Sequence, residues 1–159
     1  MYEHLLVALD GSPTAERVLE HTEALAKAFG STVTLFRATV AAEVLMAQTA
    51  TSGQSVGDVG PVLDPTPILE AERAEAIRYL NAVAARLKQH NLNVNTEHFE
   101  GPPADEIVER ARALDVSLIL MTTHGRSGLG RLVFGSVADS VLRHAPCPVL
   151  LVRVKPDEE

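Results

Sequence analysis

The feature that most constrains this chain is the regular alternation of short apolar runs with helix-period segments along most of its length. Residues 5–9 are almost continuously apolar and stop at Asp10-Gly11-Ser12-Pro13, the pattern of a strand buried on both faces that ends in a turn. Ser12 before Pro13 starts a helix, because the serine oxygen accepts from an orphan N–H and proline has no N–H to leave unpaired. Val18, Leu19, Leu25, Ala26 and Phe29 then recur at helical spacing up to Gly30, and the β-branched, apolar stretch 33–38 makes a second strand. A long amphipathic helix is expected over 66–89, with Ile68, Leu69, Ala76, Ile77, Leu80, Val83, Ala84 and Leu87 on one face. Alternating residues 94–99 suit an outer strand, and Gly101-Pro102-Pro103 turns the chain into a helix that faces inward with Ile107, Val108, Ala111 and Leu114. Residues 116–121 form the most apolar run and therefore a central strand. A short helix over 136–143 follows, with Val137, Val141 and Leu142 inward and an Asp139/Arg143 pair outward, and 149–154 is the last strand. Such an order of strands and helices implies a parallel sheet covered on both sides by right-handed crossovers.

One stretch breaks the rhythm. Residues 39–65 carry Gly53, Gly57, Gly60, Pro61 and Pro65 among many small and polar residues, and form an insert of variable structure within a single domain spanning 1–159. The 46% of apolar residues is enough for a core of that size. Lys and Arg number 14 against 21 Asp and Glu, so the formal charge of −7 gives no field for nucleic acid, and any anion must be caught locally. The single Cys147 excludes an internal disulfide and a multi-cysteine metal site. There is neither a signal peptide nor an apolar stretch of the ~18 residues a membrane span needs, so a cytoplasmic protein without a membrane partner is expected.

Two strand ends are rich in chemistry. Asp10-Gly11-Ser12 offers a carboxylate, a flexible residue and a hydroxyl, while 122–130 (Thr-Thr-His-Gly-Arg-Ser-Gly-Leu-Gly) leads to Gly135-Ser136 at a helix start. Glycines let backbone N–H groups approach an anion, and a helix amino end adds donors and a positive dipole. Gly125, Gly128, Gly130, Gly135 and Ser136 supply both, and His124, Arg126 and Arg131 add local donors. The plain alternatives are a flexible surface loop, a Ser136/Asp139 capping box, and Asp10 as a turn residue. A Walker A loop fails because Arg131 and Leu132 stand where its lysine and hydroxyl belong, and a dinucleotide fingerprint fails at Val133. The six histidines show no metal-ligand spacing, and Cys147 between two prolines reads as a buried structural thiol.

Residues 123–154 (THGRSGLGRLVFGSVADSVLRHAPCPVLLVRV) resemble the carboxyl-terminal part of universal stress proteins. Residues 5–38 and 101–121 look like that family's first βαβ unit and its third helix and fourth strand. The resemblance implies an open five-stranded parallel α/β sheet of order 3-2-1-4-5, with helices on both faces and the reversal between strands 1 and 4. The nucleotide-binding members carry G-x2-G-x9-G-[ST], which falls here on Thr122, Gly125 and Gly135-Ser136, with threonine at the first glycine position. It implies ATP; the metal stays open, since no carboxylate stands clearly beside the phosphate loop and Mg²⁺ could arrive with the nucleotide. Asp10, with Ala8 and Leu9, would face ribose or adenine, Ala38 would approach the base, and Met121 counts among the nucleotide-binding residues. Thr122 would pass near the ribose, and Gly125, Gly135 and Ser136 with the N–H groups of Val137 and Ala138 would cradle the triphosphate beside His124, Arg126 and Gly128. The resemblance also implies a homodimer through the strand 148–154 and a role as a stress-response sensor or regulator with no catalytic residue. A dimeric interaction scaffold that binds no nucleotide and a slow ATPase are the alternatives.

Overall fold

The computed structural model of the protein describes residues 1–39, 66–123 and 135–153; the expected insert therefore lies almost wholly outside the described residues. The strands are β1 (His4–Ala8), β2 (Thr32–Thr39), β3 (Asn93–Glu100), β4 (Leu118–Thr122) and β5 (Val149–Val152). All pair in parallel in the order β3-β2-β1-β4-β5, as expected. The helices are α1 (Pro13–Glu16), α2 (Val18–Phe29), α3 (Thr66–Lys88), α4 (Pro103–Ala113) and α5 (Ser136–His144). The single first helix expected from the sequence is thus divided at Arg17, whose N–H bonds back to Thr14 O at 3.2 Å.

Strand alternation splits the core in two. Leu5, Val7, Leu35 and Leu120 face one side and pack with Val18, Ala26, Leu80 and Val83 of α2 and α3. Leu6, Phe36, Ile119 and Met121 face the other and pack with Ile107, Ala111, Ala138 and Val141 of α4 and α5. Burying a side chain of this kind stabilises by about 1.5–3 kcal/mol, so the sheet and its two helix layers reinforce each other. The inward faces expected for α3 and α5 need correction. Ile68 is 59% exposed, Ile77 39% and Leu142 43%, because Ala76, Leu80, Val83 and Leu87 on α3, and Ala138 and Val141 on α5, already make the stripes that meet the sheet. Phe29 is also exposed, at 45%, with its ring edge-on to Tyr2. Among the described residues no helix is long and apolar enough to cross a membrane.

Candidate functional site

Chain order runs outward from β1 through β2 to β3 on one side and from β4 to β5 on the other, so β1 and β4 meet at the reversal. In open α/β sheets the crevice beyond the carboxyl ends of such strands is where ligands lie.

On the β1 side, Leu9 continues the strand by one bond, its N–H donating to Phe36 O at 2.8 Å. Asp10 then turns the chain: Oδ1 accepts from Ser12 N at 2.9 Å and from Ser12 Oγ at 2.6 Å. Ser12 Oγ in turn accepts from Ala15 N at 3.0 Å and caps α1, as the sequence implies. The carboxylate is therefore held by a short local network at the strand end. Ala8 and Ala38 lie on the α4/α5 face of the sheet together with the buried Met121, and their small side chains leave that face low near the edge.

On the β4 side, Thr122 closes the strand and is 7% exposed. Thr123 N donates to Val152 O at 3.0 Å, and Thr123 O accepts from Gly135 N at 2.9 Å. That last bond brings together the two ends of 124–134. A Cβ on Gly135 would lie 3.3 Å from Thr123 O, so the close approach suits glycine. Gly135 is the cap residue of α5, and the first bond of the helix runs from Asp139 N to Gly135 O at 3.0 Å. The N–H groups of Ser136, Val137 and Ala138 therefore have no acceptor within α5, at the positive end of its dipole. The capping box does not form. Asp139 instead accepts two bonds from Arg143, at 3.0 and 3.2 Å, and this pairing holds its carboxyl below the usual carboxylate range. Ser136 is exposed, Val137 half-buried and Ala138 buried.

Thus Ala8, Leu9, Asp10, Ala38, Met121, Thr122, Gly135, Ser136, Val137 and Ala138 fall at the carboxyl edge of β1, β2 and β4 and the amino end of α5. The expected residues His124, Gly125, Arg126 and Gly128 lie outside the described residues. This edge fits an anionic ligand in one respect that rests on geometry alone: a glycine at a crowded joint leads directly into three helix-end N–H donors.

Sequence reasoning missed a charged joint behind the first turn. Arg37 follows Val33 and Leu35 on the α2/α3 face of β2 and is only 5% exposed. Its Nη2 is 2.9 Å from Glu75 Oε2, and its guanidinium lies over the Tyr79 ring, 5.3 Å from the centroid. Arg37 Nη1 is buried without a hydrogen-bond partner among the described residues. Burial, and then the Glu16 carboxylate, push the Tyr79 phenol well above its usual range. Gly11, at φ +85°, sits against this guanidinium, and a Cβ there would be 2.7 Å from Nη1. The available signal was an arginine inside an otherwise buried strand, since arginine is seldom fully buried unless paired.

The remaining candidates contribute no chemistry. Cys147 is half-buried rather than fully buried, and desolvation pushes its thiol up, away from the reactive thiolate. His4 is a structural link: its ring nitrogens meet Leu114 O at 3.2 Å and Thr34 Oγ1 at 2.8 Å. Among the described residues no group of three His, Cys, Asp or Glu is gathered to hold a metal ion. An open groove of about 530 Å³ between α3 and β3, lined by Asn81, Lys88, Asn95 and Thr96 among others, touches none of the residues of the candidate edge.

A model of the universal stress protein family matches residues 1–153. Universal stress protein MJ0531 of Methanocaldococcus jannaschii is 30% identical over 159 residues, covering 100% of this chain and 86% of that protein. The solved structure of hypothetical protein MJ0577 superposes with a TM-score of 0.82 at 25% identity, covering 99% of each chain. Two solved structures share the fold at lower identity. One, a universal stress protein in complex with cAMP, has 20% identity and a TM-score of 0.67 and covers 96% of this chain and 97% of that one. The other, from Archaeoglobus fulgidus in complex with dAMP, has 22% identity and a TM-score of 0.62 and covers 94% and 97%. The chain belongs to the universal stress protein family.

Proposed function

We propose that this protein binds an adenine nucleotide, ATP, at the carboxyl edge between β1 and β4, and acts as a homodimeric stress-response sensor or regulator in the cytoplasm. The observation that carries the reading is the bond from Gly135 N to Thr123 O. It sets the ends of a glycine-rich stretch and the amino end of α5 at the sheet's reversal point, beside the turn that holds Asp10. In this reading Asp10 meets the ribose or base, Ala8, Leu9, Ala38 and Met121 flank the base, and Thr122 passes the sugar. Gly125, Gly135 and Ser136, with the N–H groups of Val137 and Ala138, hold the phosphates, and His124, Arg126 and Gly128 complete that loop. Support from outside the chain is that fold neighbours have been solved with cAMP and with dAMP. Mg²⁺, where it takes part, comes with the nucleotide. Catalysis is not needed for this role.

The dimer is proposed through β5 and the residues beside it, 148–154. Val149, Leu150, Leu151 and Val152 are all only partly buried, and β5 pairs with β4 alone among the described strands. An apolar edge of this kind is an association hazard unless a second copy covers it. Nucleic acid has no place in the reading, because the net charge of −7 opposes a polyanion.

The test is to denature the purified protein, identify any released small molecule, and titrate the protein with ATP, ADP and AMP. An empty protein with no measurable binding at millimolar nucleotide overturns the reading. It would favour the second one, a dimeric interaction scaffold, for which the threonine at position 122 speaks by placing a buried side chain where the family motif has glycine. Sedimentation at low concentration tests the dimer separately.

A further inference from the structure

Helix α3 spans Thr66–Lys88, yet its buried residues, Ala76, Leu80, Val83, Ala84 and Leu87, all lie in its later part. Residues 66–75 have no buried member, and at 1.5 Å per residue this stretch is about 15 Å long. A helix end with so few apolar contacts belongs to the low-stability end of a fold. It is tied down by ion pairs. Arg73 reaches Glu100 at 3.9 Å, with both side chains well exposed, whereas Glu75 meets the buried guanidinium of Arg37 at 2.9 Å.

That guanidinium is shared. It also packs behind Gly11 in the turn that fixes Asp10 and caps α1. One side chain therefore touches both the candidate nucleotide edge and the projecting part of α3. The joint is not at its most favourable: Nη1 is buried with no hydrogen-bond partner among the described residues, and such a group costs free energy until something accepts from it. Gly11, Tyr79 and Glu75 all meet this one fork, so the turn and α3 share it.

We infer that Arg37 is a positioning residue that couples the Asp10-Gly11-Ser12 turn to the first half of α3, so that ligand bound at the turn changes the stability of residues 66–75. The inference rests on the nucleotide reading above.

The experiment is backbone hydrogen exchange of the full chain, with and without saturating ATP, followed over 66–75 and, as an internal control, over 80–87. In the unmodified protein, ATP should change exchange over 66–75 by about two- to fivefold, the range that an ion pair with one exposed partner supplies, and leave 80–87 unchanged. In Glu75→Gln, whose folding is checked by circular dichroism because the change takes the carboxylate from the buried Arg37, ATP should still bind while the response over 66–75 disappears; Glu75→Asp, which keeps the carboxylate, should restore part of it. Arg37→Met should abolish it as well. Binding of ATP with no response over 66–75, or a full response retained in Glu75→Gln, overturns the coupling and leaves the nucleotide reading standing. No ATP binding at all overturns both.

Discussion

Replacing Gly11 with alanine tests the joint behind the β1 turn most directly. The residue has φ +85°, and a side chain there incurs backbone strain of about 1–2 kcal/mol. The new methyl would also lie 2.7 Å from Arg37 Nη1 and 2.9 Å from Cζ. To regain ordinary contact the guanidinium must retreat by roughly 0.7 Å, which loosens its 2.9 Å pair with Glu75 and its position over Tyr79. Because the Glu75 side chain is 53% exposed, the pair itself contributes no more than about 1 kcal/mol, with the lost ring contact adding about 0.5–1 kcal/mol. The sum is about 1.5–4 kcal/mol. Urea unfolding should therefore show a midpoint lowered by about 1–2 M at unchanged slope. The same substitution made in Arg37→Met, where the guanidinium is gone, should cost only the backbone part, leaving a coupling of about 1 kcal/mol between the two sites. A cost below about 0.5 kcal/mol for Gly11→Ala would refute the strain argument, and equal costs in the two backgrounds would refute the contact with Arg37.

Further outcomes follow from the same geometry. Gly135 has extended backbone angles, φ −56° and ψ 151°, so Gly135→Val should leave the fold intact but weaken ATP about tenfold or more by filling the joint with Thr123; unchanged affinity in calorimetry counts against the proposed cradle. His98, whose Nε2 lies 2.9 Å from Thr39 Oγ1, has its imidazolium disfavoured first by burial and then by Arg73 and Arg37, partly offset by Glu100, so its proton affinity is below the ordinary value of 6.5. The unfolded chain then binds this proton more readily than the folded one, so the contribution is complete above about pH 6.5 and is lost as pH falls toward the lower folded value; His98→Gln should remove that part of the pH dependence of the urea midpoint. Arg110 holds Glu97 by two bonds of 2.8 and 2.9 Å and lies 4.7 Å over the Phe99 ring, so Arg110→Lys should destabilise by about 1–2 kcal/mol, most of it lost again in a Glu97→Gln background.

The alternation of elements and the layer structure were legible because period-2 and period-3.6 apolar patterns are local consequences of burial, whereas the strand order came only from the family resemblance. Leu5, Leu6 and Val7 in succession require cover on both faces, and Val141 was rightly read as facing inward from α5. What escaped the pattern was any position where helix and sheet differ in reach. Ile68 fits the stripe of α3, but the helix extends past the part that meets the sheet, so a residue apolar in sequence stands exposed. Leu142 follows Val141 at the edge of the α5 stripe and loses its contact to it. Arg37 was invisible for the opposite reason. A charged residue in a strand suggests a solvent face, and only the distant Glu75 and Tyr79, brought in by the fold, make its burial tolerable. The candidate edge was legible where chemistry depends on backbone and turn, as at Asp10, Ser12 and Gly135, and not where it depends on pairs far apart in sequence.

That distinction bears on how an acidic protein holds a phosphate. The described arginines around the candidate edge already have carboxylate partners: Arg37 has Glu75 and Arg143 has Asp139, in each case within 3.0 Å. Neither offers free charge to a nucleotide without giving up a carboxylate. In the proposed nucleotide reading, attraction at this edge is supplied by the backbone N–H groups at the start of α5 and, in the sequence of 124–134, by Arg126 and Arg131. Dipoles fixed by the helix act over a turn or less and are screened little by salt when they touch the anion, whereas attraction through arginine charge across solvent falls away over the ~8 Å Debye length at physiological ionic strength. Measuring ATP affinity between low and high salt separates the two. A weak dependence assigns the binding to the helix end and the glycine backbone, and a steep one assigns it to Arg126 and Arg131.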